Sequence, residues 1–280
     1  IPRKKVSPEV VKKADALQRQ YSIGVKGTVQ KTKMTPRGVE IIPSEIKIVG
    51  VAQHPLPLDV TGRTPSDIDV RLDARVLDLS RQENRAIFLV QHAALEATRG
   101  FLSELGFIEV QTPRIIASAT EGGAALFPVN YYDKQAYLAQ SPQLYKEQLV
   151  IDFEKVFEIG HFFRAEESHT RRHTSEFVSI DIEQAFATTT DVTEVLEELI
   201  HYVCEVVNDR CQKELKILKH KVEVPETPFK RFTYNQVVDE LKKMRAEVKW
   251  GEDIPTPALR ILGKLHPYFY FITDWPKTAR

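Results

Sequence analysis

The chain has 280 residues, 42% of them hydrophobic and 28% charged, which is ordinary for a globular protein and enough for one large core or two domains. Lys plus Arg and Asp plus Glu number 39 each, so the chain as a whole is not a general polyanion binder. No apolar run approaches a membrane span, no apolar signal core follows the basic start, and two cysteines without a CxxC pair support neither a disulfide framework nor a zinc site.

Charge is nonetheless uneven. Residues 1–37 carry ten Lys and Arg against only Glu9 and Asp15. Such an arm either neutralises phosphates or is a solvated terminal segment. Gly24–Val29 and Val39–Val49 are rich in Val and Ile and flank Thr35-Pro36-Arg37-Gly38, which predicts two strands and a turn. His54-Pro55-Leu56-Pro57-Leu58-Asp59 and Gly62-Arg63-Thr64-Pro65 predict a connector, with a domain boundary near residues 50–70. Ser80 with Glu83 three residues on has the form of a capping box. Ile87, Val90, Ala94, Thr98, Phe101 and Leu105 follow at helical spacing, and Gly106 ends the helix.

The most informative stretch runs from Val156 to Glu183. It predicts two strands around a loop that carries His169, Arg171, Arg172 and His173. Side chains alternate along a strand, so Val156, Glu158, Gly160, Phe162, Arg164 and Glu166 share one face of the first arm. Phe177, Ser179, Asp181 and Glu183 share a face of the second, and Val178, Ile180 and Ile182 fill its other side. Facing strands of this kind offer an arginine, several carboxylates and a cationic lid in one patch. That patch suits an anionic ligand that also bears an ammonium group. The plainer reading is an antiparallel hairpin with one wet face.

Asp191 with Glu194 then predicts a helix cap, with Val192, Val195, Leu196, Leu199, Ile200, Val203 and Val207 as its buried stripe and Cys204 beside it. From Val222 onward Pro225, Pro228, Pro255, Pro257, Pro267 and Pro276 break the chain repeatedly. This part reads as an insertion with one strand, Tyr268–Ile272.

Four segments in order resemble motifs of the class II aminoacyl-tRNA synthetases, in the form found in aspartyl-tRNA synthetases of the archaeal and eukaryotic type. Gly106-Phe107-Ile108-Glu109-Val110-Gln111-Thr112-Pro113 resembles motif 1, and Ser118-Ala119-Thr120-Glu121-Gly122-Gly123 the mobile substrate loop. Ala139-Gln140-Ser141-Pro142-Gln143-Leu144-Tyr145-Lys146 resembles the amino-acid-selecting strand, and the Phe163–Glu183 region motif 2. Together they are far more specific than any one alone. The resemblance implies an α+β fold: an antiparallel sheet flanked by helices, preceded by the C-terminal part of an OB-fold barrel. It implies a partial anticodon-binding domain over 1–50, a hinge over 51–72 and a catalytic domain over 73–280. Motif 3 is absent, so truncation at both ends is expected.

The resemblance also implies roles. L-aspartate is activated with ATP to aspartyl-adenylate and passed to tRNA(Asp), with tRNA(Asn) left open as a second acceptor. Arg164 is the catalytic residue, bridging the α-phosphate and the substrate carboxylate. Glu166 accepts from the adenine amino group, and Arg172 and His173 hold the β- and γ-phosphates. Arg171 has no implied role and reads as a solvated charge. Gln143, Asp181 and Glu121 orient the α-ammonium, Glu121 on a lid whose Gly122 and Gly123 let it close. Lys146 selects the side-chain carboxylate. Asparagine is nearly isosteric, so charge must exclude it, and a buried lysine facing a neutral amide loses its partner. Mg2+ accompanies ATP with ligands unknown, motif 1 builds a homodimer, no membrane is involved, and the compartment is the cytoplasm. The alternatives are an asparaginyl-tRNA synthetase, an asparagine-synthesising paralogue, or a non-catalytic synthetase-like module that binds nucleic acid or has a regulatory role.

Overall fold

The computed structural model describes residues 5–35, 37–118, 126–165 and 174–279. The chain forms two compact units, Ile1–Arg81 and Gln82–Arg280.

The first unit opens with helix α1, Pro8–Asp15, capped by the Ser7 hydroxyl on the Val10 amide, with Pro8 in the first turn. Strands β1 (Ser22–Lys31) and β2 (Val39–Gly50) form an antiparallel ribbon, both slightly longer than the sequence predicts. At Gly27 the strands approach so closely that a Cβ would lie 2.1 Å from the Ile42 carbonyl oxygen, and the register shifts there. In the proline-rich connector Asp59 accepts from the Thr61 hydroxyl and from the amides of Thr61, Arg63 and Thr64. The Thr61 hydroxyl, followed by these amides, lowers its pKa to about 2.

Two short helices follow, α2 (Ile68–Asp73) and α3 (Arg75–Asp78). Asp78 is fully buried, with Arg71 Nε at 2.8 Å, Arg75 Nη1 at 2.7 Å and Arg81 Nε at 3.6 Å. Hydrogen bonding from Arg71 holds the Asp78 carboxyl below its usual 3.8, against burial, which pushes it up. A carboxyl depressed in the fold adds stability above the ordinary carboxylate pKa and loses it as pH falls through the lower folded value. Asp78→Asn is therefore expected to lower Tm at neutral pH, and the gap from wild type to close below about pH 4. Thermal melts of both proteins from neutral to acid pH check this. A gap that does not change with pH would show that the carboxylate charge is not what the arginines hold.

The second unit begins with helix α4, Gln82–Glu104. The Ser80 hydroxyl donates to the Leu77 carbonyl at 2.6 Å, so it turns back on the preceding helix and does not act with Glu83 as a capping box. Gly106 (φ +83°) then turns the chain into strand β3, Ile108–Glu109. Strands β4 (Ile115–Ile116), β5 (Pro128–Tyr131) and β6 (Lys134–Leu138) make a small antiparallel sheet in the order β4-β6-β5. Helix α5 (Gln143–Phe153) leads into β7 (Lys155–Phe163) and β8 (Glu176–Gln184). These two pair antiparallel, with β3 parallel on the far side of β7. Helices α6 (Thr189–Arg210) and α7 (Gln212–Leu218) come next.

Leu102, Phe107, Phe157 and Ile159 form the core between α4 and this sheet, and Ala93, Val207, Cys211 and Leu215 the core between α4, α6 and α7. Burial pushes the Cys211 thiol pKa up, as befits a packed, reduced cysteine. The two predicted stripes hold in most positions, with Val90, Ala94, Thr98 and Phe101 of α4 and Val195, Leu199, Val203 and Val207 of α6 buried or packed on the cores. In α4 the small residues Ala86, Ala93 and Ala97 face inward and let the helices approach, whereas Ile87 is 52% exposed. In α6 Leu199 and Val207 are buried while Leu196 is 40% exposed. The α6 capping box is Thr188 with Asp191, one turn earlier than the Asp191–Glu194 pair suggests.

The proline-broken region holds two strands, not one. Strand β9 (Lys230–Thr233), helices α8 (Tyr234–Lys243) and α9 (Thr256–Leu265), and strand β10 (Tyr270–Thr273) form a module in which β9 and β10 run parallel. Tyr234, Val237, Val238, Leu241, Ile254, Ala258 and Leu262 give it a core of its own. Among the described residues no helix is long and apolar enough to cross a membrane.

Candidate active site

The register of β7 and β8 decides which side chains meet. Glu158 lies opposite Asp181, Gly160 opposite Ser179, Phe162 opposite Phe177 and Val156 opposite Glu183. Directly paired residues of an antiparallel ladder project to the same side. The two alternating faces read from the sequence are therefore one continuous face. Phe157 and Ile159 point the other way, into the core with Ile182.

Arg164 continues the ladder just past β7, its amide donating to the Ser175 carbonyl at 3.0 Å. Its guanidinium carbon stands 5.4 Å from the centre of the Phe177 ring. A flat cation over an aromatic ring is held in orientation as well as in place. Next to it the Phe163 amide donates to the Ala139 carbonyl at 2.9 Å, and the Ala139 amide to the Arg114 carbonyl at 2.9 Å. These bonds bring the segment before α5 alongside the end of β7.

The centre of the face is occupied by Arg114, a residue that follows motif 1 and that sequence reasoning missed. Its Nη2 donates to Glu158 Oε1 and its Nη1 to the Thr112 carbonyl at 2.7 Å. Thr112 donates to both oxygens of Glu158, from its amide at 3.0 Å and its hydroxyl at 2.8 Å. The guanidinium lies 4.3 Å from the Phe162 ring centre. A Cβ at residue 160 would fall 2.0 Å from Arg114 Nη2, so glycine there is what leaves the guanidinium its place over the strand. Glu158 is fully buried and its charge is answered by Arg114.

Helix α5 aims Lys146 at β8. The side chain is buried, and its ammonium is within reach of Asp181 Oδ1 (3.3 Å), the Ile182 carbonyl (3.3 Å) and Glu183 Oε2 (3.5 Å). The burial is as the sequence leads one to expect, and the ammonium has partners within the chain itself. An ammonium has three donors, and three acceptors surround this one. Asp181 Oδ2 is buried without a hydrogen-bond partner among the described residues. It is the acceptor best placed to receive a new donor. The Gln143 carboxamide donates to Glu147 of its own helix at 2.8 Å and is not turned toward Asp181. Glu121, Glu166, Arg171, Arg172 and His173 lie outside the described residues.

The arrangement thus offers a stacked guanidinium, an ammonium between carboxylates and one unanswered carboxylate oxygen on a single sheet face. Residues 67–280 match the family model described as tRNA synthetases class II (D, K and N). The chain belongs to this family. Its class II synthetase relatives include the protein named Aspartate--tRNA(Asp/Asn) ligase of Methanopyrus kandleri, 50% identical over 100% of this chain. The protein of the same name from Archaeoglobus fulgidus is 47% identical over 100% of this chain. The chain spans 65% of the length of each. Among solved class II synthetase structures, asparaginyl-tRNA synthetase from Pyrococcus horikoshii, complexed with asparaginyl-adenylate, has a TM-score of 0.90 at 31% identity. The match covers 98% of this chain and 64% of that one. The class II assignment accounts for the antiparallel β7–β8 hairpin and its flanking helices, as the sequence motifs led one to expect.

Proposed function

We propose that this chain is the greater part of an aspartate–tRNA ligase. It activates L-aspartate with ATP to aspartyl-adenylate and transfers the aspartyl group to tRNA(Asp), with tRNA(Asn) as a second acceptor. The observation that carries this reading is the buried Lys146 ammonium beside Asp181 on the same sheet face as Arg164. The names of the relatives at 50% and 47% identity support it.

Activation brings two anions together, the amino-acid carboxylate and the α-phosphate, so positioning and charge neutralisation dominate the barrier. Arg164 bridges both groups with the two parallel donors of its fork. Lys146 receives the side-chain carboxylate, and Asp181 Oδ2 the α-ammonium. Glu121 completes the ammonium site, Glu166 reads adenine, and Arg172 and His173 take the outer phosphates. Gln143 joins the ammonium site if its carboxamide leaves Glu147. Mg2+ accompanies ATP; among the described residues no three His, Cys, Asp or Glu side chains converge to hold a metal.

Ile87, Phe88 and Leu89 leave an apolar surface on α4, which supports a homodimer in which a second copy covers it. The β1–β2 ribbon fits the tail of an OB-fold that grips tRNA, and the reaction belongs to the cytoplasm. The test is pyrophosphate–ATP exchange by the complete protein. Exchange should depend on aspartate and be much weaker with asparagine. Exchange that responds to neither amino acid would end this reading.

A further inference from the structure

A cleft of about 930 Å³ lies in the second unit, between the loop after α7 and the β9–β10 side of the proline-broken module. Its size is that of small-ligand pockets, roughly 300–1,000 Å³. Lys146, Arg164 and Asp181 do not line it.

One wall carries a chain of polar groups. Lys230 Nζ donates to the Tyr268 hydroxyl at 3.0 Å, that hydroxyl to His266 Nδ1 at 3.0 Å, and His266 Nε2 to Glu240 Oε2 at 2.8 Å. An ammonium only donates and a carboxylate only accepts, which with a neutral imidazole fixes this one direction. Lys230, Tyr268 and His266 line the cleft, and Glu240 does not. The cationic end of the chain is therefore offered to a ligand and the anionic end is not. Among the described residues Tyr268 is the one hydrogen-bond partner of the Lys230 ammonium, so two of its three donors are open. The carboxylates in the lining, Glu223 and Glu226, stand on the exposed loop after α7, where water screens them.

The second recognition element is flat. Phe229 is buried and Phe269 lies on it, with ring centres 5.3 Å apart and planes 18° from parallel. Phe269 and Tyr268 remain 48% and 42% exposed, so two aromatic side chains in the lining are uncovered. The Lys230 ammonium stands 4.4 Å from the Tyr268 ring centre, which puts the cation beside the aromatic surface. His201 Nδ1 lies 2.7 Å from the Pro225 carbonyl oxygen and ties the facing loop to α6.

The geometry points to a binding site for a small planar aromatic anion in this cleft. The ring stacks on Phe269 and Tyr268, and the anionic group takes the open donors of Lys230. The site is separate from the β7–β8 face and does not depend on the ligase reading.

The experiment is isothermal titration calorimetry of the complete protein with three probes: naphthalene-2-carboxylate, its neutral carboxamide, and the non-aromatic cyclohexanecarboxylate. The aromatic acid should bind saturably, and the amide about tenfold more weakly, the scale of a hydrogen bond to a charged group. Cyclohexanecarboxylate should also bind more weakly, for want of a ring to stack. Lys230→Gln should weaken the aromatic acid about tenfold and abolish its advantage over the amide, whereas Lys230→Arg should keep that advantage. A merely structural lysine would instead change acid and amide alike. Phe269→Ala should weaken both naphthalene probes by about three- to tenfold, the usual range for an aromatic pair. If one variant fails to melt cooperatively, the other decides. Three results would overturn the proposal: no saturable binding of the aromatic acid, equal binding of acid and amide, or wild-type affinity in a folded Lys230→Gln or Phe269→Ala protein.

Discussion

Lys146→Met in the complete protein is expected to lower kcat/KM for aspartate by roughly 30-fold to several thousand-fold, about 2–5 kcal/mol for truncating one partner of a desolvated charge pair. Methionine keeps much of the aliphatic stem and fills the same buried space at the start of α5. What it removes is the ammonium that lies between Asp181 and Glu183. Aspartate would then meet two carboxylates and no ammonium. Asparagine, which brings no negative charge on its side chain, should lose far less. Asp181 and Glu183 keep 20% and 27% of their side-chain surface in water, so solvent can take over part of the lysine's role and the fold should survive with a lowered Tm. The deciding quantity is the aspartate-to-asparagine ratio of kcat/KM. A ratio within about threefold of wild type, in a protein that still melts cooperatively, would remove Lys146 as the selector.

Arg164→Lys should slow adenylate formation by about 10²–10³-fold, the usual effect of losing one transition-state donor. Lysine keeps the charge, yet it has neither the two parallel donors nor the flat surface that lies over Phe177. The loss should fall on the chemical step, because contacts to the α-phosphate tighten as phosphorus becomes five-coordinate. The backbone bond from residue 164 to Ser175 does not depend on the side chain, so the hairpin should be unchanged. Single-turnover adenylation at saturating ATP and aspartate, alongside a thermal melt, checks both halves. An unchanged single-turnover rate would take Arg164 out of this role.

The sequence carried the hairpin well because its information is local. Alternation over Val156–Phe162 and Phe177–Glu183 fixes each face, and only the register between the strands had to come from the structure. Lys146 and Arg164 were legible through motifs. The acceptors around Lys146 were not, since their pairing depends on how deeply α5 sits against β8. Arg114 escaped notice for a similar reason: its partner Glu158 is 44 residues away, and the only trace of it is a glycine in a strand. The α6 cap was misplaced because Thr188–Asp191 and Asp191–Glu194 have the same spacing, and the reciprocal bonds form at the first. The helical stripes of α4 and α6 were read by size. In α4 the small residues Ala86, Ala93 and Ala97 are also buried, and in both helices single large members of the stripe, Ile87 and Leu196, lie outside. Strand β9 was hidden by its four-residue length, just after Pro225 and Pro228 and directly before helix α8.

Gly160, Arg114, Thr112 and Glu158 together restrict how this part of the chain can drift. Alanine at 160 would collide with the guanidinium, a shorter side chain at 114 would leave the buried Glu158 without its counter-charge and with only the hydrogen bonds from Thr112, and a neutral residue at 158 would strand the arginine. No single replacement among these positions is mild, although paired replacements can be. Aligned relatives should therefore show these four sites changing in concert, with a bulkier residue at 160 found only where 114 has shortened and 158 has lost its charge.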